Sequence, residues 1–259
     1  MKLIDTHCHL DFEVFNTDLV QVIQAAQNAG VNQFIVPGVT AVKWPELLNF
    51  ADKHSSIEYA LGLHPYFIDQ HQDKDLTILR DMLEKENAIA VGEIGLDYFD
   101  KTLNKEKQLY FFEAQVKIAK AFSLPIIVHA RKSHDDVIRI VKAVSFESGG
   151  IIHAFNGNLQ QAEKLIELGF KLGFGGMLTY EKSSKLRTLA KQLPIEAIVL
   201  ETDAPDMTGA SHQGERNSPE YLPEVLKSLA EIRQQPEDYL AEKIYENSLT
   251  ILGIRKNDE

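Results

Sequence analysis

Two histidines near the start of the chain, His7 and His9, sit two residues apart in Ile4-Asp5-Thr6-His7-Cys8-His9. Successive side chains of an extended strand point to opposite faces, so His7 and His9 share a face and Cys8 points away. Two neutral imidazole nitrogens side by side suit a divalent cation. With nine histidines in the chain, such a pair is unremarkable by itself. Its meaning depends on what the ends of other strands supply.

Those ends are rich in the same chemistry. His64 follows the third expected strand, Glu93 ends the fourth, His129 the fifth and His153 the sixth, and Asp203 follows the eighth in Glu201-Thr202-Asp203. Each has a plainer role when taken alone: His64 before Pro65 as a strand cap, Glu93 between Gly92 and Gly95 as a satisfied core carboxylate. Together, imidazoles and charged acids converging on one mouth would repel unless a cation joined them. One catalytic zinc commonly takes three protein ligands and keeps a position open. The six candidates divide into His7, His9 and Asp203 for one ion and His129 and His153 for another, with Glu93 bridging. Two ions about 4 Å apart can clamp the attacking and leaving oxygens of a phosphoryl displacement. The mixed nitrogen and oxygen set suits Zn, Mn, Fe or Co, and Mg where water completes the shell. His54, His71, His134 and His212 fall in helices or loops and are expected at the surface or behind the ligands.

The elements that must position these residues alternate along the chain. Beyond the first apolar run, strands are expected at 33–37, 57–63, 88–93, 126–129, 150–153, 170–174 and 197–201. Helical spacing of apolar residues marks 18–29, 45–54, 76–85, 105–122, 134–144, 159–168, 184–192, 219–233 and 236–252. Eight strands each followed by a helix predict a parallel sheet closed into a (β/α)8 TIM barrel, an α/β fold with its site at the strands' C-terminal ends. The rival, a doubly wound open sheet, more often carries a glycine-rich phosphate loop after its first strand, and none is present. No repeat or Pro/Gly linker divides the chain, so one domain is expected over residues 1–259.

Composition narrows the function. The apolar fraction of 44% in 259 residues provides for a sizeable core. One cysteine excludes an internal disulfide framework and fits a reducing compartment. No apolar run approaches the roughly 20 residues of a membrane span, and no secretory signal is visible, so a cytoplasmic location without membrane contact is expected. A net charge of −11 without a run of lysines or arginines argues against a large footprint on duplex. It leaves room for an enzyme, expected to be a monomer, that grips one strand end through metal ions.

The segment Leu3-Ile4-Asp5-Thr6-His7-Cys8-His9-Leu10-Asp11 resembles the opening signature of the TatD-type metal-dependent deoxyribonucleases. Pro125-Ile126-Ile127-Val128-His129-Ala130-Arg131 and Leu200-Glu201-Thr202-Asp203-Ala204-Pro205 resemble its two later signatures, and Gly62-Leu63-His64-Pro65 and Gly92-Glu93-Ile94-Gly95-Leu96-Asp97 fit as well. The resemblance runs from Leu3 to the final helix. It implies a TIM barrel of the metal-dependent hydrolase superfamily, the six ligands named above, and phosphodiester hydrolysis on DNA, often from the 3′ end. Departures are small: Ser133 stands where threonine or alanine is common, and Ile198 where leucine is. The loop Asp206-Met207-Thr208-Gly209-Ala210-Ser211 differs from the more usual form, which bears on substrate preference.

The mechanism expected is attack on phosphorus by a water that the ions acidify, with Asp203 orienting it and taking its proton. His64 and Arg131 are positioned to meet phosphate oxygens, Arg131 through its planar fork, unless it is spent on an ion pair with Asp97 or Asp135. The competing reading is an amidohydrolase acting on a small amide, lactone or cyclic ureide. Many of those bridge their metals with a carbamylated lysine, and no lysine ends the fourth or fifth expected strand.

Overall fold

The computed structural model describes residues 2–255, so residues 1 and 256–259 of the expected domain lie outside the description. Eight strands are present: β1 (Leu3–Asp5), β2 (Val31–Pro37), β3 (Ile57–Leu61), β4 (Ala90–Asp97), β5 (Ile126–Arg131), β6 (Gly150–Ile152), β7 (Phe170–Phe174) and β8 (Ile198–Leu200). They follow chain order in one sheet. The residues group into two compact units, one of 2–36, 172–250 and 254–255, the other of 37–171 and 251–253.

In the second unit β3, β4, β5 and β6 pair in parallel. All eight residues of β4 are buried, and Ile126, Ile127 and Val128 of β5 are fully covered. Strands buried on both faces read as apolar runs, as Ile126, Ile127 and Val128 do, and β4 departs from this at Glu93 and Asp97. In the first unit β1 pairs with β2 and β7 with β8, again in parallel.

Between the strands lie α1 (Leu19–Asn28), α2 (Trp44–Asp52), α3 (Asp73–Lys85), α4 (Lys105–Phe122), α5 (His134–Val144), α6 (Leu159–Glu167) and α7 (Ser184–Gln192), followed by α8 (Leu222–Arg233) and α9 (Glu237–Leu252). No helix among the described residues is long and apolar enough to cross a membrane. The Asn104 side chain accepts from the Lys107 N–H at 3.0 Å to start α4, and Asn158 caps α6 through Gln161 at 2.9 Å. Such caps satisfy N–H groups that the helix itself leaves without a partner.

Expected boundaries hold or move by one or two residues, except that the starts of α3 and α8 and the end of β4 move further. Helix α3 begins at Asp73, three residues before the expected start at 76. Its first turn is polar and is held by a reciprocal cap in which Gln72 N–H donates to Asp75 at 2.8 Å. Strand β4 continues past Glu93 to Asp97. Gly92 and Gly95 read as punctuation in the sequence. Gly95 instead lies inside the strand with φ 147°, where a Cβ would run into the His129 carbonyl of β5. Close backbone approach, not a turn, requires the glycine.

Candidate metal-binding clusters

In the first unit the ends of β1 and β8 run on as paired backbone. Thr6 N–H donates to the Leu200 carbonyl at 3.1 Å, Asp203 N–H to His7 O at 2.9 Å, and His9 N–H to Ala204 O at 2.7 Å. This ladder sets Asp203 opposite the two histidines. Asp203 has φ 58°, a left-handed conformation that aspartate tolerates better than most residues. His7 Nε2 lies 3.3 Å from His9 Nε2, and the two nitrogens lie 3.7 and 3.8 Å from Asp203 Oδ1. Cys8 points away as expected, buried with its Sγ 3.9 Å from the Ile35 carbonyl. Two imidazole nitrogens and a carboxylate oxygen at these separations suit the ligand set of a divalent cation.

A second group lies within the other unit. Glu93 Oε1 is 3.2 Å from His64 Nε2 and 3.3 Å from His129 Nδ1. One ligand atom from each of the three lies within 4.8 Å of the others. The two histidines differ in which nitrogen is committed. Tyr66 N–H donates to His64 Nδ1 at 3.0 Å, so the neutral ring carries its proton on Nε2, the nitrogen that faces Glu93. His129 Nε2 meets Asp97 Oδ2 at 3.0 Å, and a carboxylate there only accepts. In the neutral ring His129 Nδ1 then presents a lone pair toward the Glu93 oxygen. Two acceptors at 3.3 Å are reconciled by a cation, and a carboxylate behind a ligating histidine is the usual way its tautomer is fixed. These residues fit a metal ion, with His129 and Glu93 as ligands and His64 as a hydrogen-bond donor. His153 belongs to the same unit: its N–H donates to the Val128 carbonyl at 3.0 Å, and its ring stacks 6.3 Å from that of His129.

The electrostatics follow the same partners. Burial pushes the Asp97 carboxyl up, but His129 and the Phe99 and Asp100 N–H groups outweigh it and hold the pKa at about 2. Burial pulls His129 down, and Asp97 and Glu93 reverse it, leaving the imidazole raised. His64, where burial wins over Glu93, is lowered.

Arg131 is exposed, and its guanidinium lies over the Phe99 ring, 3.7 Å from the centroid. The ion pairs weighed for it with Asp97 or Asp135 are not formed; Asp97 is engaged by His129, and Asp135 accepts from Gln161 at 3.1 Å. Two of the four remaining histidines are not at the surface. His71 is buried and bonds the His64 carbonyl at 2.8 Å through Nε2. His134, at the start of α5, is buried edge-on to Phe155.

Residues that the sequence did not single out hold the ligands. Asp5 accepts from the Thr202 hydroxyl and N–H and from the His7 N–H. The buried Asn217 amide donates to the carbonyls of Thr202 at 2.8 Å and Asp206 at 2.7 Å, on either side of Asp203. Asp5 and Asp97 both stand inside the motifs quoted above, which was the one signal available for them. Asn217 carried none.

The family model for TatD-related DNases matches residues 4–253. The chain belongs to the TatD-related DNase family. It is 40% identical over 255 residues to the uncharacterized metal-dependent hydrolase YjjV of Escherichia coli K12, covering 98% of each chain. An uncharacterized metal-dependent hydrolase of Haemophilus influenzae is 36% identical, with 98% of this chain and 100% of that one covered. The crystal structure of YjjV superposes with a TM-score of 0.94 at 39% identity over 98% of both chains. A TatD family hydrolase from Entamoeba histolytica shares the fold at 23% identity and a TM-score of 0.85, with 98% and 99% covered. This TatD-family chain is thus a metal-dependent hydrolase with the expected (β/α)8 fold.

Proposed function

We propose that the chain hydrolyses phosphodiester bonds at the ends of DNA strands, using two divalent ions. The observation that carries this reading is the pair of clusters, His7, His9 and Asp203 in one unit and Glu93 and His129 in the other, each a nitrogen and oxygen set suited to a cation. The family description as a DNase supports the choice of substrate. In this reading His153 would complete the second ion's ligands, as the motif resemblance implies, and Glu93 would be shared by the two ions. Divalent ions, when bound, lower the pKa of water and withdraw charge from phosphoryl oxygens.

The chain's own residues supply the rest. Asp203 orients the attacking water and takes its proton at a carboxylate oxygen. Asp97 keeps the proton of His129 on Nε2 and so keeps Nδ1 available. His64, its Nδ1 held by Tyr66 N–H, offers Nε2–H, and Arg131 its fork, to phosphate oxygens.

The test is turnover of the purified protein with Mn, Zn, Mg, Co or Fe on single-stranded oligonucleotides, simple phosphodiesters, amides and lactones. Release of nucleotides from strand ends is expected. Turnover of amides or lactones with none on either phosphodiester class would overturn the reading in favour of an amidohydrolase. The two-ion assignment is tested by metal analysis of Glu93→Ala, in which both equivalents should weaken together; two retained equivalents would reject the bridge.

A further inference from the structure

Phe99 is half exposed, at 50%, although it lies just beyond β4, two residues from a buried carboxylate. That carboxylate ties it to the second cluster. Asp97 Oδ1 accepts from the Phe99 N–H at 2.8 Å, while Asp97 Oδ2 holds His129 at 3.0 Å. On the neighbouring strand end, Arg131 pairs in register with Asp97. Its guanidinium lies over the Phe99 ring at 3.7 Å, and Lys132 Nζ lies 4.9 Å from the same centroid. Lys132 has φ 56°, a left-handed conformation that a lysine adopts at a cost.

The nearby acids are already engaged. Asp97 is bound to His129, Asp100 caps Thr102 at 2.7 Å, Asp135 accepts from Gln161, and Asp136 takes Tyr98, Arg139 and Lys105. Among the described residues no carboxylate pairs with Arg131 or Lys132. On a chain of net charge −11, a half-exposed aromatic ring with one such cation over it and another 4.9 Å from its centroid is a local exception.

We infer that Phe99, Arg131 and Lys132 form a docking platform for one unstacked nucleobase and its adjoining phosphate in a single DNA strand. Every base has a face that stacks on an aromatic ring, and the guanidinium that lies over the Phe99 ring leaves the ring's other face to the base and its own fork to the phosphate. The platform explains how an acidic protein grips a strand end with few contacts. It rests on the nuclease reading and adds to it that the enzyme feels the base as well as the phosphodiester.

The test compares kcat/KM for a trinucleotide with that for the same strand made abasic at its terminal sugar. Binding is followed in parallel by quenching of 2-aminopurine at that position in a phosphorothioate strand. The natural protein should prefer the base-bearing strand by about tenfold, the usual worth of one base on one ring. Phe99→Ala should reduce the preference to within about twofold and abolish the quenching, and any loss through the Arg131 that the ring seats should fall equally on both strands. Phe99→Tyr should restore both, and Tyr110→Ala, which removes another half-exposed ring (52%), should keep both. Because the preference is a ratio, partial loss of folded protein cancels from it. A Phe99→Ala enzyme that still prefers the base overturns the platform, as does a natural protein that turns over both strands equally, and in either case the nuclease reading stands. A natural protein active on neither strand nor on simple phosphodiesters brings down both.

Discussion

Asp5 and Thr202, 197 residues apart, are joined twice: the Thr202 hydroxyl donates to Asp5 Oδ2 at 2.5 Å and the Thr202 N–H to Oδ1 at 2.9 Å. Oδ1 also accepts from the His7 N–H at 3.3 Å. One fully buried carboxylate therefore fixes the backbone that carries His7 against the backbone that carries Asp203. Burial pushes the Asp5 carboxyl up to about 7, against the pull of these hydrogen bonds.

Asp5→Ala removes this brace without touching a proposed ligand. It should weaken the ion held by His7, His9 and Asp203 by roughly 10- to 100-fold, the usual cost of losing a group that orients metal ligands. Equilibrium dialysis with Zn or Mn measures it. Unchanged affinity in a folded variant would mean that the strand pairing alone sets the ligands.

Asp203→Asn keeps the shape and one ligand oxygen but cannot accept a proton. Turnover should fall on the order of 10²-fold or more, with KM changing less, as expected for a positioned general base. Metal analysis should still find the ion of His129, His153 and Glu93. Near-normal turnover would leave Asp203 as a ligand only.

His134 is buried, its Nε2 has no hydrogen-bond partner among the described residues, and burial holds its pKa at about 4. The unfolded chain protonates near 6.5, so the native state binds fewer protons between those values. Stability from this group is complete above about 6.5 and is lost as pH falls toward 4, by about 3 kcal/mol for the whole shift. His134→Gln should therefore show a smaller drop in urea midpoint from pH 7.5 to pH 4.5 than the parent metal-free protein. Parallel curves would reject the assignment.

Few phosphates can be held by a chain of net charge −11. The slope of log affinity against log salt should be shallow, roughly −1 to −3, and single-stranded or frayed ends should be preferred to internal duplex sites. Efficient nicking of closed circular duplex at physiological salt would contradict this.

The alternation of short apolar runs with helical spacing was enough to predict the (β/α)8 order. The bounds of α4, α5, α7 and β7 were legible to the residue, because periodicity and capping are local properties. The placing of His7, His9, His153 and Asp203 beyond strand ends was legible too, since a parallel strand exposes chemistry where its apolar run stops, whereas Glu93 and His129, expected at strand ends, lie inside β4 and β5.

Tertiary structure alone decided the partners. Nothing in the spacing shows that Asp97 takes His129 and leaves Arg131 to Phe99, or that Tyr66 N–H turns His64 into a donor. Nor does it show that β4 runs on through Gly95 because β5 passes too close for a Cβ. His71 and His134 were expected at the surface or behind the ligands; both are buried, and His71 lies behind His64, whose carbonyl it bonds. Local periodicity records which face a side chain takes. The hydrogen bonds that fix the His129 tautomer and brace His7 against Asp203 join residues 32 and 197 positions apart. Those exist only once the strands that carry them lie side by side.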